Sequence, residues 1–159
     1  MNTIHVMVGN IGTGKSWTTK RLVNEDTRKN TCVVNTDSLV PMLNLGNYSP
    51  DVFTDRHREL YTHLLTGSAY ILMHHGFDVI VDTAMMSKAK RKKFIDVAKS
   101  HGAQVKVYVH KTPGGLERRI AESHGDAPWD KVYEMFEKEY EEPSLDEGID
   151  EIIDCTWRL

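Results

Sequence analysis

The sequence predicts a three-layer α/β fold, in which helices cover both faces of a five-stranded parallel sheet. Short apolar runs rich in Val and Ile alternate with segments of helical character. The length of 159 residues, with 40% hydrophobic and 27% charged residues, suits one domain with a sizeable core. We therefore expect a single domain spanning residues 1–159.

The predicted strands are short, mostly apolar runs, as expected for strands that are covered on both faces. They comprise residues 4–8, 31–35, 77–82, 105–109 and 151–155. Ligands of such sheets gather at the carboxyl ends of the strands. The residues that follow these runs are therefore the first candidates for a functional site.

The predicted helices follow the strands and are bounded by capping residues and glycines. They comprise residues 15–25, a short turn near Ser38 that Pro41 stops or bends, and residues 54–75, 87–101, 113–123 and 129–140. Residues 44–50 and 124–128 are expected to be irregular because they are rich in Gly, Asn, Ser and Pro.

The long helix over residues 54–75 is expected to bury one apolar stripe. Its members are Leu60, Leu64, Ile71, Leu72 and His75.

Composition argues against membrane insertion and secretion. No apolar run approaches the roughly 18 residues that a membrane span needs, and the N-terminus lacks the charged region of a signal peptide. Cys32 and Cys155 lie in apolar runs, so we expect buried free thiols. The sequence predicts a cytoplasmic protein with no membrane partner.

The segment that follows the first strand matches the pattern G-x₄-G-K-[ST]. We call it the phosphate loop; it consists of Gly9, Asn10, Ile11, Gly12, Thr13, Gly14, Lys15 and Ser16. Glycines let backbone N–H groups converge on an anion, and the following helix adds its positive end. Lys15 is expected to reach the β- and γ-phosphates of a nucleoside triphosphate, and Ser16 to ligate Mg²⁺.

Two aspartates follow other strands at the same edge of the sheet. Asp82 ends an apolar run and has the form of an acid that holds Mg²⁺, although it could equally cap a turn. Asp37 follows the second strand, where a carboxylate could take the proton of an acceptor hydroxyl during phosphoryl transfer, or cap the turn at Ser38. One residue can do both.

Arg118 and Arg119 lie on the short predicted helix after the fourth strand, flanked by Gly114, Gly115 and Gly125. Glycine-flanked helices can move as lids, and a lid arginine would neutralise charge on a transferring phosphoryl group. We expect a lid at about residues 113–128. The spacing of Leu116 and Ile120 predicts that these two face inward and leave the arginines free to reach a ligand; two solvated arginines are the alternative.

A basic run opens the helix that follows the third strand. It contains Lys88, Lys90, Arg91, Lys92 and Lys93, whereas residues 137–154 hold nine acids and one Lys. A polyanion would meet the first segment and avoid the second. The run is either a solvated helix face or a contact for nucleic-acid phosphates.

Two features of the sequence argue against other classes of nucleotide-binding enzyme. No Asn-Lys-x-Asp motif for guanine occurs, and the chain is short for an AAA motor with a second helical domain. A small kinase remains.

In this order, the phosphate loop, Val34-Asn35-Thr36-Asp37, Val81-Asp82-Thr83, the basic helix and the arginine-bearing helix resemble the kinase domain of phage polynucleotide kinase and its P-loop kinase relatives. The resemblance covers roughly residues 1–142. It implies a P-loop kinase fold with ATP as phosphoryl donor. It also implies Lys15 and Ser16 as ligands of triphosphate and metal, Asp37 as general base and Arg119 as a lid arginine.

Two positions depart from that family. The family's 5′-OH kinases carry an arginine three residues after the catalytic aspartate, where this chain has Val40. A second lid arginine, four residues after the first, is replaced by Ser123. Relatives in phages with modified DNA phosphorylate the hydroxymethyl group of 5-hydroxymethyluracil, an acceptor that does not need the same end-binding arginine.

We therefore expect ATP-dependent transfer to a hydroxyl on nucleic acid, with DNA as the expected polymer and Mg²⁺ as cofactor. A target base in duplex DNA would have to leave the stack. Aromatic side chains that could then stack it are Tyr48, Phe53, Tyr61 and, as first choice, Trp129. The alternatives are a small-molecule kinase and a non-catalytic nucleotide-binding switch.

Overall fold

The computed structural model describes residues 1–44, 46, 52, 54–122 and 128–157. Its centre is a five-stranded sheet in which every neighbouring pair is parallel, with strand order β2-β3-β1-β4-β5. The strands are β1 Thr3–Gly9, β2 Thr31–Val34, β3 Asp78–Val81, β4 Gln104–His110 and β5 Glu151–Asp154. The predicted three-layer α/β fold is confirmed.

The register brings the carboxyl ends of the strands to one edge of the sheet. Val6 of β1 pairs with Val81 of β3, and Gly9 pairs with His110 at the end of β4. The phosphate loop therefore begins beside the ends of both neighbouring strands.

Six helices cover the sheet within the described residues. They are α1 Lys15–Glu25, α2 Thr36–Leu43, α3 Asp55–His74, α4 Lys88–Ser100, α5 Gly115–Glu122 and α6 Trp129–Glu139, and a 3₁₀ turn spans Leu145–Glu147. Side chains cap three of them: Asn35 accepts from the Ser38 N–H, Thr54 from His57 and Ser87 from Lys90. These caps satisfy N–H groups that a helix start leaves without partners.

The core lies on both faces of the sheet. The larger cluster joins strand residues such as Val6 and Val81 to α3 and α4, including Met73 and Phe94. A smaller cluster of Met7, Ile80 and Tyr108 lies on the other face, with Leu22 of α1 packed against it.

The apolar stripe predicted for α3 is wrong by one position along the helix. The buried side chains are Tyr61, Leu65, Ala69 and Met73, whereas Leu60 and Ile71 are exposed. Leu72 does pack against the core. Both sets have the three- and four-residue spacing of one helical face, so only packing on the sheet distinguishes them.

Of the two effects predicted for Pro41, a stop or a bend of the turn near Ser38, the stop is wrong. Helix α2 begins at Thr36 and continues through Pro41 to Leu43. The Asn35 cap sets the helix start before Ser38. The two cysteines are free, as expected, but only half-buried.

Several predictions fall outside the described part of the chain. They include most of the loop over residues 44–50, the break over residues 124–127, and Tyr48 and Phe53 as stacking candidates. Within the described residues, no helix is long and apolar enough to cross a membrane.

Candidate functional site

The phosphate loop curls back on itself at two left-handed glycines. Gly12 has φ 66° and Gly14 has φ 101°, conformations that favour residues without a Cβ. Lys15 Nζ and Thr13 Oγ1 both donate to the Asn10 carbonyl oxygen, each over 2.7 Å. The lysine thus lies over the loop in the absence of a ligand.

Asn10 was predicted as a residue of the nucleotide site, and its side chain is engaged elsewhere. Its Nδ2 donates to the Tyr133 carbonyl oxygen over 3.0 Å and to Glu137 Oε1 over 2.8 Å, both on α6. Its Oδ1 accepts from the Ile11 N–H. The Asn10 side chain therefore joins the phosphate loop to α6.

A buried histidine contacts the helix that follows the phosphate loop. His110 Nε2 lies 2.8 Å from Thr18 Oγ1, and its Nδ1 lies 3.1 Å from the Tyr108 carbonyl oxygen. Since a carbonyl can only accept, Nδ1 carries the proton and Nε2 accepts from the Thr18 hydroxyl. Burial lowers the pKa of His110 to about 4, so the ring is neutral near pH 7.

Four predicted site residues form one electrostatic group. Desolvation lowers the pKa of Lys15 to about 8, and the charges of Asp82 and Asp37 oppose that shift while Arg119 adds to it. Desolvation likewise raises the pKa of Asp82, opposed by Lys15 and by a hydrogen bond from the Ser16 side chain. The structure thus brings together Lys15, Asp37, Asp82 and Arg119, from four separate segments.

These residues line a cleft of about 600 Å³ at the carboxyl edge of the sheet. Beyond the phosphate loop, its walls are mostly apolar and come from α2, α3, the start of α4 and α6; they include Val40, Tyr61, Leu65, Met85, Phe94, Val132, Met135 and Phe136. Asp37 and Asp82 lie where this apolar part meets the phosphate loop. The cleft therefore combines a polar end and an apolar end.

Helix α5 is attached to the phosphate loop at its first residue. A Cβ at Gly12 would lie 2.1 Å from the Gly115 carbonyl oxygen, and a Cβ at Gly115 would lie 2.3 Å from that of Ile11. Only glycine at both positions permits this approach. Arg118 reinforces it, since its Nε donates to the Gly12 carbonyl oxygen over 2.8 Å.

The two arginines of α5 therefore make different contacts. Arg118 is bonded to the loop backbone, whereas the Arg119 guanidinium lies over the Trp129 ring, 4.2 Å from its centroid. The prediction that Ile120 faces inward is wrong, because its side chain is 53% exposed. The close contact between Gly12 and Gly115 turns α5 so that both arginines line the cleft instead.

The basic run does not form one solvent-facing surface. Arg91 is fully buried and bonded to Glu147 and to the carbonyl oxygens of Met85, Met86 and Glu141. The prediction that Arg91 contacts nucleic acid is therefore wrong, because its guanidinium is committed to the protein interior.

The lysines of the run remain on the surface. Lys90 pairs with Glu139 and Lys92 with Asp96, each over 2.7 Å. Lys88 and Lys93 are exposed. Of the five residues, only Lys90 lines the cleft.

The two positions that depart from the polynucleotide kinase pattern are Val40 and Ser123, and the structure describes only the first of them. Val40 is buried, with 1% of its surface exposed, and lines the apolar end of the cleft. Ser123 lies outside the described residues. The position of the expected acceptor-binding arginine is thus part of an apolar wall.

Sequence reasoning missed two tryptophans beside the phosphate loop. Trp17 and Trp157 make an edge-to-face contact with ring centroids 5.6 Å apart, and both line the cleft. A Cβ at Gly14 would lie 3.3 Å from the Trp157 ring. The indoles give the nucleotide end of the cleft an aromatic border.

Comparison with solved structures shows the same fold in several kinases. A chain of the Pnkp1/Rnl/Hen1 complex has a TM-score of 0.61 at 19% identity, over 79% of this chain and 40% of that one. The Mycobacterium tuberculosis APS kinase CysC with AMPPNP and APS has a TM-score of 0.61 at 19% identity, over 97% and 88%. A sugar kinase from Janibacter sp. HTCC2649 has a TM-score of 0.66 at 15% identity, over 98% and 85%.

This chain spans less than half of the two Pnkp1/Rnl/Hen1 chains, 40% and 46% of their lengths. No functionally curated protein matches the sequence. The sequence of residues 4–135 matches a family described as an AAA domain. With the phosphate loop and strands β2 to β4 inside the matched region, the chain belongs to this AAA domain family, AAA_33, and has a P-loop kinase-like fold.

Proposed function

We propose that the protein is an ATP-dependent kinase that transfers the γ-phosphoryl group to a hydroxyl on nucleic acid. The observation that carries the proposal is the group of Lys15, Asp82, Asp37 and Arg119 in one cleft. A nucleotide-binding switch needs the first two of these. A carboxylate placed for an acceptor and an arginine placed for the transferred group are requirements of a kinase.

The residues at the polar end fit a magnesium–nucleotide complex. Desolvation lowers the pKa of Lys15. The negative charge of phosphates beside the amine would favour its charged form. Ser16 and Asp82 would hold Mg²⁺, which commonly takes one or two protein ligands and completes its shell with phosphate oxygens and water. Bound there, Mg²⁺ would neutralise charge on the phosphates.

The acceptor would enter from the apolar end. Asp37 would accept the proton of its hydroxyl as the oxygen attacks the γ-phosphorus. The new O–P bond forms while the bond from the γ-phosphorus to the β–γ bridging oxygen breaks, and ADP departs. Lys15 and Arg119 would stabilise the charge on the transferring group.

Nucleic acid as acceptor is supported by two features. The apolar end of the cleft has walls suited to a base, and the cations Arg58 and Lys90, which pair with Asp55 and Glu139, line the same cleft. The acceptor would be a 5′-OH end or the hydroxymethyl group of a modified base such as 5-hydroxymethyluracil. Val40 at the place of the end-binding arginine favours the modified base.

DNA is the proposed polymer, and a role in phage DNA modification would follow from a modified-base acceptor. The use of ATP would place the protein in the cytoplasm, that of the host cell if it is phage-encoded. We treat residues 1–159 as one domain and residues 113–128 as its lid; the contact of Gly115 with Gly12 would be the fixed base of that lid.

The direct test is incubation with γ-labelled ATP and three acceptors: a 5′-OH oligonucleotide, DNA containing 5-hydroxymethyluracil, and free nucleosides. We expect label on one of the two polymers. Asp37→Asn should abolish the transfer and leave ATP affinity within about threefold, because amide and carboxylate have the same shape but the amide is no base. Near-normal transfer by this variant would remove Asp37 from the mechanism.

A small-molecule kinase is the second candidate, favoured by the apolar end of the cleft and by the pairing of Lys90 with Glu139. It predicts faster labelling of free nucleosides or another metabolite than of polymers. It also predicts weak salt dependence, since few phosphates would be contacted.

A further inference from the structure

Trp129 is the first residue of α6 and forms part of the cleft wall. The Arg119 guanidinium carbon lies 4.2 Å from its ring centroid. This is well within the distance at which the negative face of an indole attracts a cation.

Each of the two stacked side chains has a buried nitrogen. Arg119 Nε and Trp129 Nε1 are both buried, and neither has a hydrogen-bond partner within the described ranges. Arg118, one residue earlier, is held in the opposite way, by hydrogen bonds to the Gly12 and Thr112 carbonyl oxygens. The two neighbouring arginines thus have different supports.

The ring itself has a fixed place relative to the phosphate loop. Asn10 bonds to Tyr133 and Glu137, four and eight residues after Trp129 on α6. At the other end of the helix, the Glu141 N–H donates to the Met86 carbonyl oxygen over 2.8 Å. An arginine stacked on Trp129 is therefore placed relative to the loop through α6.

The stacked arginine lines the same cleft as the phosphate-loop lysine. The charges of Arg119 and Lys15 lie close enough to interact. Like charges that face one another repel, and the indole face opposes that repulsion. A phosphoryl group between the two cations would relieve it.

We propose that Trp129 is a positioning residue that holds the Arg119 guanidinium toward the transferring phosphoryl group. The inference rests on the proposed function only in that a phosphoryl group leaves ATP. It does not depend on which hydroxyl receives it. The indole ring supplies the position, and Arg119 supplies the charge.

The test compares the affinities of ADP and of ADP with aluminium fluoride, which mimics the transferring group and needs no acceptor. We expect Trp129→Leu and Arg119→Ala each to weaken binding of the fluoroaluminate complex by about tenfold, with ADP affinity changed less than about threefold. Trp129→Phe keeps an aromatic face and loses the N–H, so it should retain binding within about threefold. The double variant Arg119→Ala/Trp129→Leu should be no weaker than Arg119→Ala alone.

Tyr140→Leu is the matched control, because it removes another aromatic ring with a cation over it, at the far end of α6. Lys111 Nζ lies 5.4 Å from the Tyr140 ring centroid, and Tyr140 does not line the cleft. This variant should bind both ligands as the wild type does. Thermal unfolding of each variant shows whether the fold is retained.

Additive losses in the double variant would overturn the inference, since they would mean that Trp129 acts apart from Arg119. A loss in Trp129→Phe equal to that in Trp129→Leu would overturn it as well, since the N–H rather than the ring would matter. An unchanged preference for the fluoroaluminate complex in Trp129→Leu would remove Trp129 from this role and leave the proposed kinase intact. A wild type with no such preference would contradict phosphoryl transfer itself.

Discussion

Asn10 of the phosphate loop donates a hydrogen bond of 2.8 Å to Glu137 on α6, across 127 positions of sequence. The same amide nitrogen also reaches the Tyr133 carbonyl oxygen. Asn10 is 4% exposed but Glu137 is exposed, so the bond between them is only partly shielded from water. The phosphate loop and a helix that lines the apolar end of the cleft are thereby joined through one side chain.

Removal of this link should destabilise the protein. Asn10→Ala deletes the buried amide that makes both hydrogen bonds, one of them to a carboxylate, for which we expect a loss of about 1–3 kcal/mol in the free energy of unfolding. Urea denaturation measures it. Glu137→Gln retains an acceptor oxygen and should cost about 1 kcal/mol or less. Equal losses in the two variants would show that the amide–carboxylate bond is not what joins the loop to the helix.

The affinity for ATP should fall as the pH rises through about 8. Burial lowers the pKa of Lys15 to about 8, so the free protein loses this positive charge above that pH. Phosphates favour the charged form of the Lys15 amine. Above pH 8, the protein must therefore take up a proton when it binds ATP. We expect a decrease of up to about tenfold per pH unit above 8.

Calorimetric titration at pH 8.5 in two buffers of different ionisation enthalpy measures the proton uptake directly. Lys15→Arg keeps its charge throughout this range and should show neither the uptake nor the decrease. A pH-independent affinity of the wild type would contradict the assigned place of Lys15.

Arg91 should contribute to stability rather than to binding. Arg91→Met leaves Glu147 without the cation that neutralises it, and the broken pair should cost about 3–5 kcal/mol. The double variant Arg91→Met/Glu147→Leu should recover part of that loss, because no unpaired charge remains. Thermal or urea unfolding distinguishes the two variants, and equal stability of both would argue against the pair as the cause.

The exposed lysines of the basic run should set the salt dependence of nucleic-acid binding. Lys88→Gln/Lys93→Gln should reduce the slope of log affinity against log salt by about 1.4–2, if each lysine contacts one phosphate. Lys20→Gln on α1, also exposed, is the matched control with an expected slope equal to that of the wild type. An unchanged slope in the double variant would place the polymer elsewhere.

The residues that sequence reasoning placed correctly share one property: each follows a strand. Because the ends of parallel strands meet at one edge, Lys15, Asp37 and Asp82 could be brought together from local patterns and a topological rule. The fold class followed from the same alternation of strands and helices.

The residues that it misplaced or missed depend on distant partners. Arg91 lies in a run of cations, and nothing local reveals that Glu147, 56 positions later, neutralises it. Trp17 and Trp157 meet although 140 positions separate them. The stripe of α3 was ambiguous for a related reason, since two adjacent sets of apolar residues have helical spacing and the sheet contacts one of them.

Stability should decrease as the pH falls from about 6.5 to about 4. Burial lowers the pKa of both His5 and His110 from 6.5 to about 4, so the unfolded chain binds protons in this range that the folded protein does not. Their stabilising contribution is complete above pH 6.5 and is lost as the pH falls through 4. Each ring contributes up to about 3 kcal/mol by the usual conversion of pKa differences.

Urea unfolding at half-unit steps between pH 4 and pH 7 tests this dependence. His5→Gln removes one of the two rings and can still bond to the Tyr108 hydroxyl, which lies 2.9 Å from His5 Nδ1. We expect the variant to show about half of the wild-type decrease. His63→Gln is the control, because His63 is exposed on α3, and its curve should follow that of the wild type. If His5→Gln also followed the wild-type curve, the burial of His5 would not be the source of the pH dependence.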